Sequence, residues 1–518
     1  MSYESVILIL FVIASIVAVI TRYINLPYTI ALVAVGLMLG GLHLLHPPSL
    51  TQELLYSVFL PPLIFEAAIH LRASELWRDG WPIATLVIPG VIASTLLTAA
   101  VMVPVSVHFA QINAITWPVG ILFGAAVAAT DPVAVVSLFN KLGAPRRLRL
   151  LIESESLLND GTSIVVFILA MQYILGHLGT PQDAVVDFFR IVGFGLLVGA
   201  IVGLATAAVM HHLDDAMITI TLTTIAAYGS FLIADRLGVS GVMSTVAAGL
   251  ITGGKGLSEI LFPSIRLATE TFWEYIAFAM NSLIFLLMGF AVNLTLLWEL
   301  SPIVLIAYGS VLAARFFVVT GTWAVFYPTN HKFPFSWAAV MTWGGLRGAL
   351  SMVLALSIPD SFALKELIVT LVFGVVLISI FVQGMTMSPL MKILGILSPV
   401  SQLKNYELLK TEILLYQDIM EKMDKLHKRR FLSAESLESL TNEYQTKIDA
   451  LSEELNKIEV DKETLVKEEV LKTKRRMIME ETKALLERYQ SGTISLEVYK
   501  AVKHEFDSQL FELENMGA

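Results

Sequence analysis

Long apolar segments follow one another through the first 400 residues, and short polar loops separate them. A helix needs about 20 apolar residues to cross the roughly 30 Å hydrocarbon core of a bilayer. The pattern therefore predicts an all-α polytopic membrane protein of about thirteen transmembrane helices, numbered here as spans 1 to 13. They cover residues 4–20, 28–45, 52–71, 83–105, 117–141, 149–176, 186–210, 216–234, 239–253, 267–292, 301–326, 335–357 and 366–391.

The pattern changes near Pro399, where charged residues become frequent. Residues 1–400 contain 36 Lys, Arg, Asp and Glu, whereas the 118 residues that follow contain 43. We therefore expect a transmembrane domain over residues 1–398 and a helical cytoplasmic tail over residues 399–518. A regulatory or dimer-supporting role is the natural expectation for such a tail.

Composition narrows the class of protein. Hydrophobic residues make up 56% of the chain and charged residues only 15%, whereas soluble domains are about 25% charged. A soluble enzyme is excluded for most of the chain, and we expect a protein that is not an enzyme and needs no cofactor. The net charge of −9 argues against a nucleic-acid partner, and the absence of cysteine excludes disulfides and thiolate metal sites.

Basic residues in the short loops predict the orientation. If the tail is cytoplasmic, eleven Lys and Arg fall in the inner loops, and only Arg190, Arg236 and Lys365 fall in the outer loops. Such a bias is typical of loops that stay in the cytoplasm. We expect a multi-pass protein of the plasma membrane, the inner membrane of a bacterium, with its N-terminus outside.

Four charged residues lie deep within predicted spans: Asp131, Glu155, Asp160 and Arg347. Each costs about 2.5–3.5 kcal/mol at the bilayer centre on insertion scales, so a chain that only had to fold would carry leucine there. At a rise of about 1.5 Å per residue, Asp131, Asp160 and Arg347 fall near the midplane of three different spans. The positions predict one buried cluster.

Span 6 carries two polar stripes. Glu155 and Asn159 are four residues apart and share a helix face, as do Ser156 and Asp160. The first stripe suits a structural carboxylate with its amide partner. The second suits a carboxylate and a hydroxyl that face an ion.

Spans 5 and 12 are predicted to be interrupted. The segment ATDPVA (129–134) contains a proline, which cannot donate to the helix ladder, and WGGLRGALS (343–351) has three glycines in five positions. Unwound backbone at membrane depth is tolerated only where it lines a cavity or is buried in protein. Each span is the fifth in a set of six, so the breaks predict an inverted repeat with its site at two crossing broken helices.

Six segments match a known family in order along the membrane domain. They are FLPPLIFEAA (59–68), ATDPVAV (129–135), ESESLLNDGTSIVVF (153–167), SGVMSTVAAGL (240–250), NSLIFLLMG (281–289) and WGGLRGALSM (343–352). With these motifs the sequence resembles the monovalent cation:proton antiporters of the NhaP and sodium/proton exchanger branch. The resemblance implies a homodimer in which a core domain moves against a dimerisation domain.

The resemblance also implies the ion site. Asp160 would be the main carboxylate that binds cation or proton, and Asp131, Ser156 and the backbone around Thr130 would complete the Na⁺ site. The chemistry agrees, because a small hard cation prefers carboxylate, hydroxyl and carbonyl oxygens. We expect Na⁺, with Li⁺ or K⁺ as alternatives, to exchange for H⁺.

Three further residues would support the site. By the resemblance, Glu155 would pair with Arg347 and hold span 6 against span 12. Asn159 fills a position that is Asp in the electrogenic branch of the superfamily. With one carboxylate at this pair, Asp160, we expect one cation to exchange for one proton without net movement of charge.

Other functions remain as alternatives at this point. A K⁺-selective antiporter would use the same oxygens, and a cation channel would need a continuous pore, against which the matched broken helices argue. A symporter for organic anions would require a positively charged side chain that is free to bind the anion. An intramembrane enzyme is disfavoured because no HExxH motif, cysteine or paired Ser and His lies in a span.

Overall fold

The structure is a computed structural model, and every regular element in the residues it describes is a helix. The chain forms two compact units. The first comprises residues 1–141 and 147–396, and the second comprises residues 142–146 and 397–518. The described residues are 3–24, 28–41, 55–71, 76, 78–109, 115–142, 144–176, 180–211, 215–257, 263–290, 294–329, 331–396, 399–428, 433–456, 462–495, 497–499, 501–503, 505–506 and 509.

Eighteen helices precede the tail in the described part of the chain. They are α1 (Tyr3–Ile24), α2 (Tyr28–Gly41), α3 (Leu60–His70), α4 (Gly80–Val87), α5 (Pro89–Phe109), α6 (Trp117–Ala126), α7 (Val133–Leu142), α8 (Arg146–Ile174), α9 (Pro181–Met210), α10 (Ala216–Arg236), α11 (Gly241–Ile251), α12 (Pro263–Phe290), α13 (Leu294–Glu299), α14 (Ser301–Phe326), α15 (Phe335–Trp343), α16 (Ala349–Leu356), α17 (Lys365–Ile378) and α18 (Gly384–Ile393). Short π-helical turns, Leu55–Phe59, Thr252–Gly256 and Ser379–Gln383, lead into α3, follow α11 and join α17 to α18.

The all-helical membrane fold predicted from the sequence is confirmed. Within the described residues, seven helical segments are long and apolar enough to cross a membrane: Gly80–His108, Arg146–Ile174, Gln182–Met210, Ala216–Arg236, Ile265–Phe290, Ser301–Phe326 and Lys365–Ile393. Every predicted span overlaps a helix, although residues 42–45, 52–54 and 291–292 of three spans lie outside the described residues. Thirteen crossings stays a prediction.

The membrane helices pack in two groups. In the core group, α14 contacts α4, α5, α15 and α17, while α6 contacts α5, α16 and α17. In the scaffold group, α12 contacts α1, α2 and α3, while α11 contacts α3, α9 and α10. Helix α8 reaches the scaffold group, because Gly161 lies close against Met243 of α11 and Val165 packs with Phe188 of α9.

Small residues bring α9 and α11 into backbone contact. Gly195, Gly199 and Gly203 are four residues apart and therefore share one face of α9. A β-carbon at Gly199 would overlap the carbonyl oxygen of Ser244, and one at Gly203 would lie 3.0 Å from the Cα of Ala248. Close approach through small residues is the usual way in which membrane helices pack tightly.

The second unit contains three long helices, α19 (Pro399–Lys428), α20 (Ala434–Asn456) and α21 (Lys462–Gln490). Helices α19 and α20 pack together, with the rings of Tyr416 and Tyr444 at 5.5 Å. Helix α21 is followed by Gly492, which adopts a positive φ of 72°, the conformation that glycine tolerates best at a helix C-terminus. The tail is helical, as the sequence predicts.

Candidate functional site

Both predicted interruptions are present. In span 5, α6 ends at Ala126 and α7 begins at Val133; in span 12, α15 ends at Trp343 and α16 begins at Ala349. The proline before Val133 supplies no N–H to the ladder. The backbone N–H of Val133 donates to Oδ1 of Asp131 at 2.9 Å, so this carboxylate satisfies a donor at the start of α7 in the manner of a helix cap.

The two interruptions touch each other. The backbone N–H of Asp131 donates to the carbonyl oxygen of Leu346 at 2.8 Å, and the backbone N–H of Arg347 donates to Oγ of Ser379 at 3.1 Å. A β-carbon at Gly348 would lie 2.9 Å from Cγ of Asp131. Glycine is required there because the aspartate side chain occupies the space that any larger residue would need.

Thr130 links the first interruption to α8. Nδ2 of Asn159 donates to Oγ1 of Thr130 at 2.7 Å, and the backbone N–H of Thr130 donates to Oδ1 of Asn159 at 3.3 Å. The hydroxyls of Thr130 and Ser156 lie 3.1 Å apart, and the Ser156 hydroxyl also donates to the Thr130 carbonyl oxygen. All three residues are buried. Thr130 and Ser156, predicted to share the ion site, therefore lie in contact.

Asp160 is a half-buried residue of α8 with an unsatisfied oxygen. Its Oδ1 is buried and has no hydrogen-bond partner among the described residues. The carboxylates of Asp160 and Asp131 are close enough to repel each other. A buried carboxylate oxygen that lacks a donor is unfavourable by itself, and the repulsion from a second carboxylate adds to this cost. A bound cation or proton would relieve both problems, so the donor set fits a monovalent cation as transported substrate.

The expected pairing of Glu155 with Arg347 is wrong, because Glu155 pairs with Arg315. The guanidinium holds Glu155 by two hydrogen bonds, one from Nη1 to Oε1 and one from Nη2 to Oε2 at 2.8 Å. It also donates to the carbonyl oxygen of Met341 from Nη2 at 3.1 Å. Gly345 makes room for this side chain, since a β-carbon there would lie 2.9 Å from Nε of Arg315. The carboxylate thus ties α8 to α14.

Arg347 supports the site in another way. Its Nη1 donates to the carbonyl oxygens of Ala128 and Ala129 at 3.0 and 3.2 Å, and the residue is 2% exposed. These carbonyls follow the C-terminal end of α6, where the aligned peptide dipoles leave partial negative charge. Arg347 therefore fixes the interruption of span 5 from the interruption of span 12.

Sequence reasoning missed three contributors to the site. Arg315 lies fourteen residues inside span 11, and a charge so deep in a span was the signal for a buried partner such as Glu155. Gly348 belonged to the recognised glycine run, but its contact with Asp131 depends on how the two spans cross. Ser379, at the start of a π-helical turn, accepts from the backbone of Arg347 and gave no local signal.

Comparison with known proteins identifies relatives that align with about three quarters of the chain. The chain is 36% identical over 385 residues to the Na⁺/H⁺ antiporter ApNhaP of Aphanothece halophytica, which covers 74% of this chain and 72% of that protein. It is 32% identical over 398 residues to the Na⁺/H⁺ antiporter NhaP of Pseudomonas aeruginosa, and this alignment covers 72% of this chain and 92% of that protein.

The fold also has a solved counterpart. The sodium proton antiporter MjNhaP1 from Methanocaldococcus jannaschii, solved at pH 8, matches with a TM-score of 0.63 and 20% sequence identity. The match covers 76% of this chain and 99% of that chain, and at this identity it concerns the fold alone. The model of the family "Sodium/hydrogen exchanger, transmembrane" matches residues 7–393, which include both interruptions and the whole of α8. The chain therefore belongs to the sodium/hydrogen exchanger family.

Proposed function

We propose that the chain is a secondary active antiporter that exchanges Na⁺ for H⁺ by alternating access. The observation that carries the proposal is the Asp160 carboxylate, which lies near Asp131 with a buried oxygen that no described group bonds. Either a cation or a proton neutralises such a group, and binding one disfavours the other. If the carrier reorients only when this charge is neutralised, the outcome is exchange.

The first interruption and α8 supply oxygen atoms suitable for Na⁺. We assign Asp160, Asp131, Ser156 and the Thr130 backbone as the groups that bind the transported ion. Hydroxyl, carbonyl and carboxylate oxygens are the ligands that hard cations prefer. Asn159 supports these ligands, because its side-chain amide accepts from the backbone N–H of Thr130 and donates to the Thr130 hydroxyl.

The charges of the cluster favour one-for-one exchange. Three carboxylates, Asp131, Glu155 and Asp160, accompany two guanidinium groups, Arg315 and Arg347, so the cluster carries one net negative charge. One Na⁺ or one H⁺ brings the sum to zero. In this proposal Asp131 stays ionised throughout the cycle, with its Oδ1 accepting the hydrogen bond from the Val133 N–H. The transport cycle then moves no net charge.

The position of α8 supports alternating access. Glu155 ties α8 to the core group through Arg315, whereas Gly161 packs against Met243 of the scaffold group. Asp160 precedes Gly161 directly, so the ion site lies beside the boundary between the two groups. Movement of one group against the other would expose this carboxylate to alternate sides of the membrane.

A cation channel is the second class of function to be distinguished from the proposed antiporter. A channel requires a continuous pore, whereas the crossing of the two interruptions is closed by the backbone bond from Asp131 to Leu346 and by the buried Arg347 side chain. A K⁺-selective antiporter uses the same oxygen ligands, so selectivity among Na⁺, Li⁺ and K⁺ depends on the size of the site.

We further propose that the transport domain is residues 1–398, in the plasma membrane with the N-terminus outside. Residues 399–518 would form a cytoplasmic tail. The bias of basic residues toward one set of loops supports this orientation. We also propose a homodimer, as the family resemblance implies, and chemical cross-linking in native membranes tests it.

Reconstitution in liposomes tests exchange, coupling and stoichiometry together. An imposed Na⁺ gradient should drive H⁺ movement in the opposite direction, and Asp160→Asn should remove it. The null point, at which net flux vanishes, should depend only on the two ion gradients when the voltage is stepped with K⁺ and valinomycin. A null point that moves with voltage refutes one-for-one exchange, and uncoupled Na⁺ flux refutes the antiporter. Competition by Li⁺ and K⁺ against radiolabelled Na⁺ ranks selectivity.

A further inference from the structure

A cavity lies between the two helix groups. Its volume is about 400 Å³. Tyr56, Ser57 and Asp235 line it from the scaffold side, and Ile164 and Ser357 are among the residues that line it from α8 and the end of α16. The cavity is therefore bounded by both of the groups whose relative movement antiport requires.

The lining of the cavity comes within one helical turn of the ion site. Ile164 follows Asp160 by four residues on α8, which places it one helical turn away on the same face. Val353 and Leu354 line the cavity from α16, the helix that starts directly after the second interruption. An ion that crosses this cavity would arrive within one turn of the Asp160 carboxylate.

Asp235 is the one charged residue that lines this cavity in the described part of the chain. It is exposed and lies in the last turn of α10, where the helix dipole disfavours an acidic side chain. Phe231, one turn earlier, packs edge-on against the ring of Tyr56 at 5.3 Å. The end of α10 is thereby fixed against the cavity wall with its carboxylate at the rim.

We infer that this cavity is the external vestibule of the antiporter and that Asp235 attracts the cation into it. The inference rests on the proposed function and orientation, in which the end of α10 faces outward. A single charge beside low-dielectric walls concentrates cations, because the field is focused into the aqueous space. Asp235 then acts on cation capture and not on the exchange step at Asp160.

Cysteine accessibility tests the vestibule, because the natural chain contains no cysteine. In right-side-out vesicles, a membrane-impermeant methanethiosulfonate reagent should modify Ser357→Cys and block Na⁺/H⁺ exchange. Ser361→Cys is the matched control, since Ser361 is exposed four residues later and does not line the cavity. Modification there should leave exchange unchanged.

The charge of the reagent then reports on Asp235. A cationic reagent should modify Ser357→Cys faster than an anionic one, and adding Asp235→Asn should reduce this ratio about fivefold at low ionic strength. The same addition should change the ratio less in Ser361→Cys. Salt at about 0.5 M should remove the difference, because screening at that strength acts over only a few ångströms.

Transport kinetics give a separate readout. Asp235→Asn should raise the external Na⁺ concentration for half-maximal exchange about two- to threefold at low ionic strength, with an unchanged maximal rate. Asp235→Glu should restore the wild-type value. Arg236→Gln is the control for a neighbouring charge that does not line the cavity, and it should change the half-saturating concentration less.

Three results overturn the inference: modification of Ser357→Cys that leaves exchange intact, modification only from the side of the tail, or wild-type half-saturation in Asp235→Asn at low salt. Failure of the proposed function is distinct from these. In that case the unmodified wild-type chain would show no coupled exchange, whatever the labelling pattern.

Discussion

The ion pair between Glu155 and Arg315 gives the sharpest prediction about stability. Glu155 is 1% exposed and Arg315 is 7% exposed, and two parallel hydrogen bonds join them. Removal of one partner leaves an uncompensated buried charge, which costs about 3–5 kcal/mol. We therefore expect Glu155→Gln and Arg315→Gln each to lose about 3–5 kcal/mol of unfolding free energy.

The double variant separates this pair from its alternative. With both charges removed no buried charge is left without a partner, so the two losses should fall short of additivity by about 2–3 kcal/mol, as expected for residues in direct contact. Glu155→Gln combined with Arg347→Gln should show a coupling below about 1 kcal/mol, because Arg347 bonds backbone carbonyls instead.

Unfolding in mixed detergent micelles, followed by the fluorescence of the eight tryptophans, measures these free energies. Arg315→Lys is an informative control, since a single ammonium cannot reproduce two parallel bonds to a carboxylate, and it should fall between wild type and Arg315→Gln. Strict additivity for Glu155 and Arg315, or a larger coupling of Glu155 with Arg347, would refute the pairing.

Three other variants test the site itself. Asp160→Asn should abolish exchange in proteoliposomes while the protein elutes as a folded peak on size exclusion, because the amide keeps the shape and removes the exchangeable charge; near wild-type transport would remove Asp160 from the mechanism. Gly348→Ala should reduce exchange at least tenfold because its β-carbon meets Asp131, whereas Gly321→Ala, with nothing within 4 Å of its β-carbon, should be neutral; equal rates would contradict the close contact. Asn159→Ala should lose about 1–3 kcal/mol of stability because Thr130 loses two partners, and an unchanged unfolding midpoint would count against that role.

The fold and both interruptions were predictable because their signals are local. Apolar runs of the right length indicate membrane helices, and a proline or several glycines indicate where a helix cannot continue. The residues that would surround the ion lie at those breaks or on one stripe of α8. Thr130 and Ser156 therefore lie in contact, as their positions on spans 5 and 6 suggested.

The partners of the charged residues were not predictable in the same way. Glu155 had two arginines within reach of the membrane midplane, and the choice between them depends on how α14 and α15 pack on α8. Gly345 contributes to the outcome, because the absence of a side chain there leaves room for Arg315. The cavity beside Asp235 depends on the arrangement of three helices, and periodicity along the chain carries no information about it.

The backbone contact between α9 and α11 has a mechanical consequence. At Gly199 no side chain separates the two backbones, so these helices can neither slide past each other nor admit a lipid tail between them. We expect the two helices to move as one rigid body. In a bilayer thinner or thicker than the apolar length of this helix pair, both helices would have to tilt together. This tilt would change the surface against which the ion-carrying helices move. Exchange rates measured in bilayers of graded acyl-chain length should therefore pass through a maximum, and Gly199→Ala, which forces the helices apart, should broaden it.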